Sequence, residues 1–111
     1  MKRFLMSLMF AGIAMTMSHA ASAACGSITV AEMNWASAEL MANVDKIILE
    51  KGYDCKVELV AGATMPTFTS MNEKGQPDVA AELWANAVRG PLKKAKDEGR
   101  LHSVNDAPIT G

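Results

Sequence analysis

The change of hydrophobic period along this chain limits its folds more than any other feature. Residues 27–32, Ser-Ile-Thr-Val-Ala-Glu, are β-branched and bounded by Gly26 and Asn34, which marks a short buried strand. The period then lengthens: Leu40, Val44, Ile47 and Ile48 recur at i, i+4, i+7 and i+8, with Glu39, Asn43, Asp45, Lys46 and Glu50 mostly off that stripe. This predicts an amphipathic helix laid on a sheet by those four aliphatic side chains, capped by Asn34 or Ser37 and stopped at Lys51 and Gly52. From 55 to 60 the pattern shortens to two. Cys55, Val57 and Leu59 share one face and Lys56 and Glu58 the other, so this strand has a wet face or lies near an edge.

Small residues at 61–64 make a turn, and Thr64 is placed to cap a second helix with Pro66 in its first turn, where a missing N–H does no harm. Phe68 and Met71 would face the core, and Gly75 ends the helix. Residues 77–86, Pro-Asp-Val-Ala-Ala-Glu-Leu-Trp-Ala-Asn, read as a short strand that delivers Trp84 to its carboxyl end, where α/β proteins keep their ligands. Gly90 and Pro91 predict a turn and then a helix from Pro91 to about Glu98. In it Lys93, Lys94 and Lys96 against Asp97 and Glu98 form a solvated charged face. Residues 101–104 would begin a further strand. Strands alternating with helices in this way argue an α/β fold with a mainly parallel, doubly wound sheet.

The amino terminus has the form of an export signal. Lys2 and Arg3 precede an uncharged apolar run over 4–17, and Ala21, Ser22 and Ala23 supply small residues for cleavage after Ala23. The run is shorter than the ~20 residues a spanning helix needs, so residues 1–23 read as a removable signal peptide and the destination as the periplasm, with no membrane insertion afterwards. Taking 23 residues from 111 leaves a chain at the low end of what buries a sufficient core. Residues 24–111 are therefore expected to be the amino-terminal part of a larger, incomplete lobe. Losing Lys2 and Arg3 also moves the formal charge from −1 to −3, and the few aromatics are not interleaved with basic residues, which excludes nucleic acid as a partner.

Cys25 and Cys55 both fall after the signal, an even count in an exported chain, and Cys25 precedes the first strand as Cys55 opens the second. A disulfide needs only that these strands be neighbours, and closing a loop of roughly thirty residues is worth up to ~3 to 4 kcal/mol in the chain-entropy model. The competing reading makes Cys25 the lipidated residue of a lipoprotein, but Ser22 stands where such signals carry an aliphatic side chain. Two cysteines with no neighbouring histidine do not make a metal site. A catalytic reading finds little: His102 is the one histidine beyond the signal, Ser27, Ser37, Ser70 and Ser103 lack the flanking glycines of a nucleophile elbow, and Gly62 and Gly75 do not form a phosphate-cradling loop. Neither an enzyme nor a cofactor is expected.

Trp35 and Trp84 each follow a predicted strand, so a parallel sheet would bring both to one edge. A tryptophan face attracts cations and suits a quaternary ammonium, which cannot donate a strong hydrogen bond. Both rings could equally be core residues. The runs Val-Ala-Glu-Met-Asn-Trp at 30–35, Val-Glu-Leu-Val-Ala-Gly-Ala-Thr at 57–64 and Asp-Val-Ala-Ala-Glu-Leu-Trp at 78–84 resemble the amino-terminal lobe of glycine betaine binding proteins of ABC importers, the OpuAC and ProX-like family. The resemblance implies part of the first lobe of a two-lobed periplasmic binding protein fold, with aromatic rings caging a trimethylammonium group. It implies glycine betaine, choline, carnitine or a similar amine as ligand and an ABC permease as partner. Trp84 matches the family's first-lobe cage tryptophan and Trp35 the aromatic end of the first strand, while the other cage residues are expected outside this chain. Thr64 and Met65, at the turn after the second strand, are placed to offer backbone N–H groups to a ligand carboxylate. The alternative function is a small exported interaction or structural domain stapled by the disulfide.

Overall fold

The central strand forms where both faces of the chain can be buried. The computed structural model describes residues 25–104, and the predicted signal at 1–23 and the segment from Asn105 onward lie outside the described residues. Strand β1, Ser27–Met33, has Val30, Ala31 and Met33 buried, so successive side chains on opposite faces are both covered, as in a parallel sheet with helices on each side. Strand β2, Lys56–Gly62, pairs with it in parallel from Ser27 opposite Lys56 to Met33 opposite Gly62. Strand β3, Val79–Ala80, lies parallel on the other side, opposite Val30 and Ala31. The order β2-β1-β3 makes β2 an edge strand, and its Lys56 and Glu58 are exposed while Val57 is buried, as the period of two required. The chain steps from β1 to β2 on one side and then crosses to β3 on the other. Strand order thus reverses at the β1/β3 boundary, the switch point at which open α/β sheets form a crevice.

Helix α1, Ala36–Tyr53, connects β1 to β2. Its expected packing face is overturned: Leu40, Val44, Ile47 and Ile48 are 65, 43, 60 and 51% exposed, and the buried residues are Ala38 and Ala42, with Leu49 against the core. The helix is apolar on both sides, and small alanines allow its backbone to approach Val30 and Val57 closely, which the larger aliphatics would prevent. Neither Asn34 nor Ser37 caps it; the flanking residue is Trp35, in extended conformation, whose carbonyl accepts the Glu39 N–H at 3.0 Å. The helix also runs through Gly52. It ends at Asp54, in the left-handed region at φ 54°, which a short polar side chain tolerates, and the Cys55 N–H returns to the Leu49 carbonyl at 3.1 Å.

Helix α2, Thr64–Lys74, buries Thr67 and Phe68, half-buries Met71, and ends at Gly75 with φ 67°. The segment 77–86 is not one strand. Pairing stops at Ala80, the Gln76–Pro77 peptide is cis, and Trp84 leads instead into a 3-10 turn, Ala85–Val88. That turn continues into α3, Arg89–Asp97, which takes Gly90 and Pro91 in its first turn, buries Ala95 and leaves the Lys93–Asp97 pair exposed. No strand follows at 101–104. The Arg100 and Leu101 N–H groups close the helix by bonding the Ala95 carbonyl, so these backbone donors are spent before a ladder could form, and the Arg100 guanidinium reaches the Asn72 carbonyl of α2.

Cys25 and Cys55 form a disulfide with a Cα–Cα distance of 4.7 Å, tying together the amino ends of β1 and β2. No described helix is long and apolar enough to cross a membrane.

Candidate functional site

Two chain segments leave the sheet side by side at the switch point. Beyond Met33, β1 gives Asn34 and Trp35 before α1 begins, and beyond Ala80, β3 gives Ala81, Glu82, Leu83 and Trp84 before the 3-10 turn. Because β1 and β3 are parallel neighbours, both exits lie at the carboxyl edge, and the indoles meet with centroids 5.4 Å apart and planes inclined at 46°. A tilted pair at this distance is a favourable aromatic geometry. The two planes are inclined to one another, so the rings are not stacked face to face.

The two rings are held differently. Trp35 is half-buried against a small cluster of Ala31, Met33 and Ala38 that includes Ala80 and Leu83, so part of its area belongs to the core. Its indole Nε1–H donates to the Glu82 carboxylate at 2.9 Å. Trp84 is 61% exposed, resting on Trp35, and its carbonyl accepts the Ala87 N–H of the turn that follows. The choice between core and ligand-facing tryptophans thus divides between the rings: Trp35 has core contacts and Trp84 does not stand in the core.

Thr64 and Met65 open α2 at the carboxyl end of β2, on the far side of β1 from β3. They share the sheet edge with the tryptophans without joining the pair. Thr64 is half-buried, Met65 is exposed, and the expected capping by Thr64 is not made. No side chain caps the helix; the Thr67 hydroxyl instead accepts the N–H of the flanking Ala63 at 3.1 Å. Gly62 permits this closeness, since a Cβ there would lie 2.7 Å from Thr67 Oγ1 and 2.9 Å from Met33 Sδ.

Glu82 was not among the residues singled out by sequence. The signal that could have found it is the chemistry of tryptophan, whose N–H seeks an acceptor when the ring is partly buried. An acidic residue two positions before the second tryptophan is a candidate, but the contact spans 47 residues and has no local pattern.

A hydrogen-bonded carboxylate, Asp78, lies at the opposite end of the sheet. Asp78 Oδ2 accepts the Thr29 N–H and lies 2.7 Å from the Thr29 hydroxyl, and Gln76 donates to Asp78 Oδ1 at 3.0 Å. The Thr29 backbone bond, then its hydroxyl, holds the Asp78 carboxyl below the ordinary aspartate value against an opposing effect of burial. Asp78 fastens β3 to β1 and is remote from the tryptophan edge.

No curated protein matches the chain at a significant level. The family model described as the substrate binding domain of ABC-type glycine betaine transport system, OpuAC, matches residues 26–109. With most of its length matched, and with a parallel α/β sheet carrying paired tryptophans at its switch point, the chain belongs to the OpuAC family of substrate-binding domains.

Proposed function

We propose that the chain supplies part of the first lobe of the extracytoplasmic binding component of an ABC importer, which captures glycine betaine or a related quaternary amine once the remaining cage residues complete the site. The observation that carries this reading is the inclined pair of an exposed Trp84 and a half-buried Trp35 at the β1/β3 switch point of a chain from this family. A trimethylammonium group has no donor to satisfy and a diffuse positive charge, so two ring faces set at an angle offer it both attraction and apolar cover. Trp84 forms the exposed wall and Trp35 the supported one. The start of α2, at Thr64 and Met65, offers backbone N–H groups and the positive end of a helix dipole to the ligand carboxylate. In this reading residues 1–23 direct export and are removed after Ala23. Residues 24–111 then form the amino-terminal part of a binding lobe that works with a permease. The family's role is to bind substrate, and no catalytic step is invoked.

Titration calorimetry with glycine betaine, choline and carnitine, on the binding protein in which this part-lobe is joined to the remaining cage residues, tests the proposal. Heat is expected with at least one of them, and Trp84→Ala should weaken it about 5- to 30-fold, the equivalent of one cation–ring contact. No heat with any of the three, or undiminished binding by the variant, would overturn it.

A further inference from the structure

We infer that Glu82 is the positioning and charge-selecting residue of this site, an inference that rests on the quaternary-amine reading above. A tryptophan at a strand exit has two free side-chain torsions, and stacking alone leaves its ring able to slide and turn. Here the 2.9 Å bond from Trp35 Nε1–H to the Glu82 carboxylate fixes one edge of the indole, while the buried cluster of Ala31, Met33 and Ala38 supports its body. Residues 82–84 therefore do two things at once: Glu82 pins the first ring, and Trp84, two positions on, supplies the second. The 46° inclination is set by one short segment acting on both walls.

The same carboxylate places a formal negative charge beside the ring pair. Glu82 is half-buried, so its attraction for a nearby cation is less screened than that of a fully solvated carboxylate. Ring faces alone contribute both cation attraction and apolar area, and an uncharged group of the same shape retains the second. Glu82 adds a contribution that only the cation receives. It also orients a zwitterion, ammonium toward Glu82 and carboxylate away from it.

Two variants separate the roles. Glu82→Gln keeps an oxygen acceptor at the same reach and removes the charge, whereas Glu82→Ala removes both. In the ligand-free chain, with far-UV circular dichroism confirming the fold, Glu82→Ala should move the Trp35 indole N–H resonance and reduce the near-ultraviolet signal of the coupled indoles to less than half. Glu82→Gln should keep most of that signal. Binding is then compared for glycine betaine and its neutral-headed isostere 3,3-dimethylbutanoate, and the ratio of their affinities should fall about tenfold in Glu82→Gln. An unchanged Trp35 resonance and near-ultraviolet signal in Glu82→Ala overturns the positioning role. An unchanged affinity ratio in Glu82→Gln overturns the charge role. If wild-type protein binds no quaternary amine and the spectroscopic change is still present, the ligand assignment fails while the positioning of Trp35 stands.

Discussion

Gly62 shows how little room the residues around the site have. It closes β2 and hands the chain to α2, and an added Cβ would meet Thr67 Oγ1 at 2.7 Å and Met33 Sδ at 2.9 Å. Met33 is 1% exposed and has no space to retreat, and the Thr67 hydroxyl is held by the Ala63 N–H. Gly62→Ala should cost about 1–3 kcal/mol, the usual penalty of overpacking, read as a lower urea midpoint with unchanged slope. Trp84→Ala should behave in the opposite way. With most of its ring in solvent, Trp84 contributes little to the core, so the variant is expected to keep its urea midpoint while losing ligand, and a large drop in midpoint would show that the ring is structural. The two tryptophans were legible in the sequence because each follows a run that ends a strand. Their relation was not, because the tilt of one ring on the other and the hydrogen bond to Glu82 depend on segments brought together only by the sheet.

At the scale of elements, α1 is the instructive case. The existence of the helix followed from periodicity, but its inward face did not, because two apolar stripes run along it and a period of 3.6 fits both. Ala38, Ala42 and Leu49 face the sheet because short side chains let the helix sit close, while Leu40, Val44, Ile47 and Ile48 point away. The faces can be told apart by substitution. Ala42→Leu places three extra carbons between Val30 and Val57 and should destabilise by about 1–3 kcal/mol. Ile47→Ala, on the exposed side, should fall within about 0.5 kcal/mol of wild type, and alanine's helix propensity works in its favour. Urea titrations showing the reverse order would place the helix the other way round. The βαβ order and the neighbouring of β1 and β2 were similarly open to reading, since a helical crossover between parallel strands leaves few alternatives. The two-residue β3 and the loss of a strand at 101–104 were not. They depend on where backbone donors find partners: the Thr29 N–H on a carboxylate, and the Arg100 and Leu101 N–H groups on the Ala95 carbonyl.

At the scale of the molecule, the sheet is fastened at one end and carries its candidate site at the other. The disulfide joins the amino ends of β1 and β2, and Asp78 joins β3 to β1 through Thr29, so the carboxyl edge is free to carry loops and rings. Replacing both cysteines by serine should lower stability by about 3 kcal/mol, since the bridge closes a separation of 30 residues in the unfolded chain. The Asp78 clamp is distinguished from it by pH. The Thr29 N–H and hydroxyl favour the carboxylate form, so the folded state holds Asp78 ionised at pH values where the unfolded chain is already binding a proton. Between the two values the unfolded state carries more protons, and stability must rise with pH. The contribution is therefore complete above the ordinary aspartate value of about 3.9 and is lost as pH falls through the lower value of the folded state. Asp78→Asn keeps an oxygen for Thr29 without the charge. It should be less stable than wild type at pH 6, with the gap closing as both proteins are taken into acid. The thermal midpoints of the two, followed from pH 6 down to pH 2, check this. A gap of constant size over that range would mean that Asp78 holds β3 by shape alone and that its charge contributes nothing to the clamp.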